Sequence, residues 1–96
     1  MKAIILITDS EAMEEFERVL TAEGHQGFTV MPAAAGRGRH GTKTGDRVHP
    51  GSSSLMLTVA GGGDADGLLG LLRRTRDAGG FREVTRMWSF DVAEVA

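Results

Sequence analysis

Two short runs, Ala3 to Ile7 and Leu55 to Ala60, carry apolar residues on both of their alternating sets of positions. A strand patterned in this way is covered on both faces, because successive side chains point to opposite sides of the sheet. The chain has 96 residues, and at roughly 100 to 200 residues per domain it forms one unit, residues 1–96. A chain of this size hides only about 60 to 70% of the surface that its unfolded form exposes, so its own core is thin. Doubly apolar strands with so little chain to cover them limit the fold more than any other feature.

The other elements follow from period and punctuation. Lys2 to Thr8 is a first strand, with Ala3, Ile5 and Ile7 on one side and Ile4 and Leu6 on the other. Ser10 is placed to cap a helix to about Glu23, with Glu11 in its first turn and a stripe of Ala12, Met13, Phe16, Val19 and Leu20. Gly24 stands where a left-handed stop is expected. Phe28 to Ala35 reads as an edge strand, since Pro32 is tolerated at an edge or a bulge. From Gly36 to Ser53 neither period survives, and the glycines with Pro50 predict a long loop without regular structure. Leu55 to Ala60 is a third strand. Asp64 or Asp66 then caps a second helix with Leu68, Leu71 and Leu72 on one face, where Arg73, Arg74 and Arg76 suit the negative C-terminal end. Gly79 and Gly80 end that helix, and Glu83 to Val92 is a last strand with Trp88, Phe90 and Val92 on one face.

The order β-α-β-β-α-β is that of an α+β, ferredoxin-like sandwich, a four-stranded antiparallel sheet with two helices on one face. The opposite face is left bare although its strands are apolar there, so the pattern predicts a closed ring of chains that buries it. The alternative is a monomer whose 36–53 loop folds back over the sheet.

Charge and composition remove several function classes. With 11 Lys and Arg against 13 Asp and Glu, the net charge of −2 gives no bulk electrostatic grip on nucleic acid or anionic lipid. The absence of cysteine excludes disulfides, thiolate metal sites and cysteine nucleophiles. No apolar run approaches the roughly 20 residues of a membrane span, and no leader-like segment follows Lys2, so a cytoplasmic protein without direct membrane insertion is expected. The charge is uneven, however. Residues 36 to 50 hold Arg37, Arg39, Lys43 and Arg47 against Asp46 alone, a net +3, interleaved with Gly36, Gly38, Gly41 and Gly45. A segment both basic and backbone-permissive is where an anion site is to be sought; the alternative is a solvated loop whose charges keep it soluble.

Gly36-Arg37-Gly38-Arg39-His40-Gly41 fits the G-x-G-x-x-G string of dinucleotide-binding proteins. That fingerprint requires a helix opening at its third glycine, and Thr42 to Pro50 has no helical pattern, so the reading fails on context. What is left is a glycine-rich turn whose N–H groups and two guanidinium forks suit phosphate oxygens.

The wider string Gly24-His25-Gln26-Gly27-Phe28-Thr29-Val30, continued by Gly36-Arg37-Gly38-Arg39-His40-Gly41, closely resembles the entry to the mobile T-loop of the PII signal-transduction family. Met87-Trp88-Ser89-Phe90-Asp91-Val92 is similar to that family's last core strand, which ends in F-D-V. The resemblance implies a homotrimer with its sheets facing inward and an adenine nucleotide (AMP, ADP, ATP or cyclic AMP) in each cleft between subunits. Gly27, Thr29, Gly36, Gly38 and Arg39 then correspond to the part that holds base, ribose and phosphates, with Arg37 as a further contributor. Arg86 stands where the family has a phosphate-binding lysine. The residue-level alternatives are a backbone-bonded strand hydroxyl for Thr29 and a solvated edge residue for Arg86. The family role implies a regulator, not an enzyme, that signals to a protein partner (a transporter or an enzyme) through a mobile 36–53 loop.

Three departures limit this. The sequence stops at Ala96, short of the family's phosphate-reaching arginines, which implies an incomplete contact set for ATP. The loop is shorter than in the nitrogen-regulatory members, and there is no tyrosine, so the residue uridylylated in some members is missing. Thr75 to Arg82 does not match the B-loop pattern. The chain is therefore more similar to the divergent PII-like branch associated with bicarbonate uptake or carboxysomes, with smaller adenine nucleotides preferred, bicarbonate as a candidate coeffector and no prosthetic group.

A second reading is a trimeric divalent-metal-binding protein of the ion-tolerance type, with His25, His40, His49 and Asp46 as candidate ligands; no spacing such as H-x-x-x-H supports it. Ser52, Ser53 and Ser54 lack a G-x-S-x-G turn, and Glu11, Glu14, Glu15 and Glu17 read as a solvated helix face. No catalytic constellation is apparent.

Overall fold

The computed structural model describes residues 1–25, 27–34, 36–38, 41–43 and 53–96, with the backbone alone for 33, 34, 36–38 and 41–43. Along the chain run β1 (Lys2–Asp9), α1 (Ser10–Ala22), β2 (Phe28–Ala34), β3 (Gly36–Gly38), β4 (Gly41–Lys43), β5 (Ser53–Ala60), α2 (Asp64–Ala78), a 3₁₀ turn (Arg82–Val84) and β6 (Arg86–Asp91). Four strands form one sheet in the order β2-β5-β1-β6, antiparallel at every pairing, with both helices packed on one side of it. The expected sandwich is the observed one.

The doubly apolar runs occupy the two central positions, β1 and β5, as their pattern requires. On the helix side, Ile4, Leu6 and Met56 pack with Ala12, Met13, Phe16 and Leu20 of α1 and Leu68 and Leu72 of α2, all of them buried. Full burial of each large member stabilises by about 1.5–3 kcal/mol. Pro32 lies on the edge strand β2, at a register irregularity between Met31 and Ala34, which satisfies both conditions that a strand proline needs.

Both helices stop by the same device. The N–H of His25 donates to the carbonyl of Leu20 at 2.8 Å and that of Gly24 to Thr21 at 3.1 Å, with Gly24 at φ +86. In α2 the N–H of Phe81 donates to Arg76 at 2.8 Å and that of Gly80 to Asp77 at 3.3 Å, with Gly80 at φ +74. These are Schellman closures, in which glycine takes the left-handed position at no steric cost. The second one aims Phe81 back at the core, where its ring lies 6.0 Å from that of Phe16.

Four expectations are corrected. The cap of α1 is Asp9 rather than Ser10; Ser10 is the first helical residue, and its hydroxyl hydrogen-bonds that of Ser54 at 2.9 Å. The cap of α2 is Gly63, because Asp64 and Asp66 lie in the first turn, where carboxylates favour the dipole without capping. The last strand starts at Arg86 and not at Glu83, since the Schellman closure leads into the 3₁₀ turn. The fourth concerns the 36–53 loop, which is not without regular structure. Gly36 pairs with Lys43, Arg37 with Thr42 and Gly38 with Gly41 in a separate two-stranded ladder. Ladder bonds come from the backbone, so alternating glycines form one without any apolar period to announce it.

Candidate functional site

The bare face of the sheet is ordered into rows by the register. Met31, Leu55, Ile7 and Arg86 form one row; Thr29, Leu57, Ile5 and Trp88 the next; Val59, Ala3 and Phe90 a third. No helix covers this side: Met31, Leu57, Val59, Trp88 and Phe90 are between 42% and 55% exposed. An apolar surface of this extent marks an association site.

The sequence-identified residues fall at the margins of this face. Gly27 immediately precedes β2, and its carbonyl accepts a hydrogen bond from the Thr58 hydroxyl at 2.7 Å. Thr29 is exposed on the bare face of β2, opposite Leu57. Gly36, Arg37 and Gly38 form β3. Arg39 lies outside the described residues, as do His40, Asp46 and His49 of the metal reading. Among the described residues no group of three or more His, Cys, Asp and Glu is gathered for a metal ion.

Arg86 opens β6, on the far edge of the sheet from β2. It is exposed, and its guanidinium donates to the carbonyl of Thr85 at 3.1 Å. Thr85 is itself anchored by a buried hydroxyl contact with Thr8 at 2.8 Å. Two strands, β5 and β1, separate Thr29 from Arg86, a distance on the order of 15 Å at roughly 4.8 Å per strand. One chain therefore does not bring these two residues together.

What the structure adds is a basic cleft. Arg73 and Arg76 of α2, Arg82 of the 3₁₀ turn and Arg86 of β6 line a single cleft of ≈ 500 Å³ together with Thr85 and Trp88. Asp77 donates no proton here but accepts from two guanidinium groups, Arg76 at 2.9 Å and Arg82 at 3.4 Å, both through Nε to the same Oδ1. The hydrogen bond from Arg76, followed by the charges of both arginines, holds the Asp77 carboxyl below its ordinary value. The density of arginine between 73 and 86 is visible in the sequence, but complementing a helix dipole was sufficient reason for the first three. A larger groove of ≈ 730 Å³ runs between α1 and α2. It is lined by Glu11, Glu14 and Glu15 against Arg18 and Arg74, and it holds none of the residues singled out for the nucleotide or the metal.

Comparison with known proteins supplies a family. The family described as nitrogen regulatory protein P-II matches over residues 1–95. A search of curated proteins finds no match. Among solved structures, CPII, a nitrogen regulatory PII-like protein from Thiomonas intermedia K12 bound to ADP, AMP and bicarbonate, is similar with a TM-score of 0.66 at 18% identity, covering 97% of this chain and 88% of that one. CPII bound to ADP and bicarbonate gives 0.64 at 18% identity, and CPII bound to ADP, AMP and acetate gives 0.62 at 16%, each with the same coverage of 97% and 88%. Likeness at these identities is likeness of fold, and the family match runs nearly end to end. On that match the chain belongs to the nitrogen regulatory protein P-II family.

Proposed function

We propose that this chain is a homotrimeric, cytoplasmic regulator that senses an adenine nucleotide, with a small anion such as bicarbonate, in the clefts between its subunits. It signals ligand state to a partner protein through residues 36–53. The observation that carries this reading is the division of the candidate ligands between opposite edges of one sheet whose exposed face is apolar. Gly27 and Thr29 lie at the β2 edge and Arg86 lies at the β6 edge. A second copy that sets its β2 edge beside this β6 edge joins the two half-sites and starts to cover the bare rows. Such a contact is heterologous, and it closes into a ring when the rotation permits.

The roles follow from chemistry. Gly27 and Thr29 offer a close backbone approach and a hydroxyl to base and ribose. Gly36 and Gly38, having no side chain, let a phosphate approach the backbone closely, and Arg37, Arg39 and Arg86 supply charge-assisted donors, each such bond contributing about 1.5–3 kcal/mol. The choice of ADP or AMP with bicarbonate is supported by the shared fold with CPII, which was crystallised with them. Binding that orders a glycine-rich segment around phosphate changes which surface a partner meets, and this is how a ligand without chemistry acts as a signal. The role is regulatory rather than catalytic.

Isothermal titration calorimetry with AMP, cyclic AMP, ADP and ATP, each with and without bicarbonate, tests the reading alongside the mass from light scattering. Heat with at least one nucleotide and a mass of three chains are expected. Silence with all four nucleotides overturns the sensing role, and a monomeric mass overturns the shared cleft.

A further inference from the structure

The groove of ≈ 730 Å³ between α1 and α2 combines an apolar lining with walls of unequal charge. Its apolar part is Val19 of α1, Ala78 of α2 and Phe81. The Phe81 ring is pressed against Gly79, where a Cβ would stand 2.4 Å from the ring Cε2. On the α1 wall, Glu15 is matched by Arg18, whose Nε donates to it at 3.0 Å. Glu11 and Glu14 are exposed, and among the described residues neither has an ion-pair or hydrogen-bond partner. Arg74 of the facing wall pairs with neither: its guanidinium reaches back over Gly70, where an added Cβ would meet it at 3.2 Å. The dipole of α1 accounts for Glu11 in the first turn, but not for Glu14 beyond it. The groove lies on the helix layer, across the sheet from the bare face, so a ring closed through that face leaves it open.

We infer that this groove is the docking site for an amphipathic helix of a partner protein, one whose apolar stripe is flanked by lysine or arginine. Charge fixes the sign of the partner, since two unpaired carboxylates on one wall attract a basic flank and repel an acidic one. Shape fixes its form. Both walls are helices whose backbone groups are already bonded, so an extended segment finds no backbone there to pair with, whereas a helix satisfies its own N–H and C=O groups. A third helix packs into the furrow between two others by setting its side-chain ridge into their groove. From Glu11 to Val19 the wall runs about 12 Å at 1.5 Å per residue, so about two turns of the partner engage. Apolar residues of the partner at helical spacing meet Val19, Ala78 and Phe81, and its basic flank meets Glu11 and Glu14. The groove shares no residue with the proposed nucleotide cleft, so this inference goes beyond that reading and stands or falls without it.

The test is fluorescence anisotropy of a labelled leucine and lysine peptide of about 18 residues, its leucines at helical spacing, titrated with the full chain. Two further peptides serve as controls: the same composition in strict alternation, which cannot form an amphipathic helix, and the helical pattern with glutamate in place of lysine. A saturable rise with the helical lysine peptide alone is expected. Glu11→Lys and Glu14→Lys together should weaken it by about 10-fold, since each reversal replaces an attraction with a repulsion. Ala78→Gln, which fills the groove from an exposed helical position without changing charge, should weaken it by about fivefold or more while far-ultraviolet circular dichroism stays unchanged. Glu17→Lys makes the same charge change on the side of α1 that faces Val30 and Pro32, and it should leave affinity within about twofold. The inference is overturned by no saturable rise, by equal binding of the alternating peptide, or by tighter binding of the glutamate peptide. Equal loss in Glu17→Lys overturns it too, by reducing the effect to net charge, as does unchanged affinity in Ala78→Gln, which would place the peptide on another surface such as the bare sheet face.

Discussion

The two faces of the four-stranded sheet use the same kinds of residue and are completed differently. On one, Ile4, Leu6 and Met56 are at most 1% exposed beneath the helices. On the other, Leu57, Val59, Trp88 and Phe90 are 42% to 51% exposed, although Leu57 and Val59 share strand β5 with the buried Met56. The helix-side face is a core that the chain finishes by itself. In the proposed ring the bare face is half of a core, so the difference separates what folding completes from what assembly would complete.

The strongest way to break this comparison is to damage the finished face. Phe16→Ala removes a ring that is 0% exposed and faces Phe81, and it should cost about 3–5 kcal/mol of stability, read by urea denaturation at fixed chain concentration. For a thin-cored domain that approaches global unfolding. Next in size is Leu57→Lys on the bare face. It should leave far-ultraviolet circular dichroism intact while the scattering mass falls to one chain, with a loss of about 1.5–3 kcal/mol per chain from the apolar contact. If the mass is that of one chain before the substitution, the two faces differ in exposure only and the half-core reading fails.

A smaller effect sharpens how the finished face is closed. Gly80→Ala puts a Cβ on a residue at φ +74 and should cost about 1–2 kcal/mol, with Phe81 loosened against Phe16 in ring proton shifts. The smallest effect concerns the Lys2–Asp91 pair, 2.9 Å apart and 41% and 86% exposed. The hydrogen bond from Lys2, and then its charge, holds the Asp91 carboxyl below its ordinary value. A depressed carboxyl contributes stability that is complete above the usual carboxylate range, about pH 4, and is lost as the pH falls through the lowered value. Asp91→Asn should therefore lower the melting temperature slightly at pH 7 and converge with the parent chain in strong acid. A gap that grows on acidification would reverse the sign and sink the assignment.

Most of the fold was legible because the features that specify it are periodic and local. Ile4 against Ile5 states which side of β1 each occupies, and the stripe from Ala12 to Leu20 states which side α1 presents. The two-stranded ladder of Gly36–Gly38 and Gly41–Lys43 was not legible, since glycine and arginine alternation carries no burial signal and the bonds are backbone to backbone. The candidate site was half legible. The resemblance alone singles out Gly27, Thr29 and Arg86, and the glycine-arginine string adds its own reason for Gly36, Gly38 and Arg39, whereas the separation of Thr29 from Arg86 follows only from β5 and β1 lying between them.

The amino-acid order alone settled the βαββαβ succession of the sandwich, the apolar second face and the place of the basic glycine-rich segment, because each depends on neighbours within a few positions along the chain. Tertiary packing decided that Arg73, Arg76, Arg82 and Arg86 share one cleft and that the two halves of the proposed nucleotide site, Thr29 and Arg86, lie on opposite edges. Those facts depend on which strands become neighbours, and strand order is chosen by the burial of the whole helix-side face at once, a sum over distant residues that no short window of sequence contains.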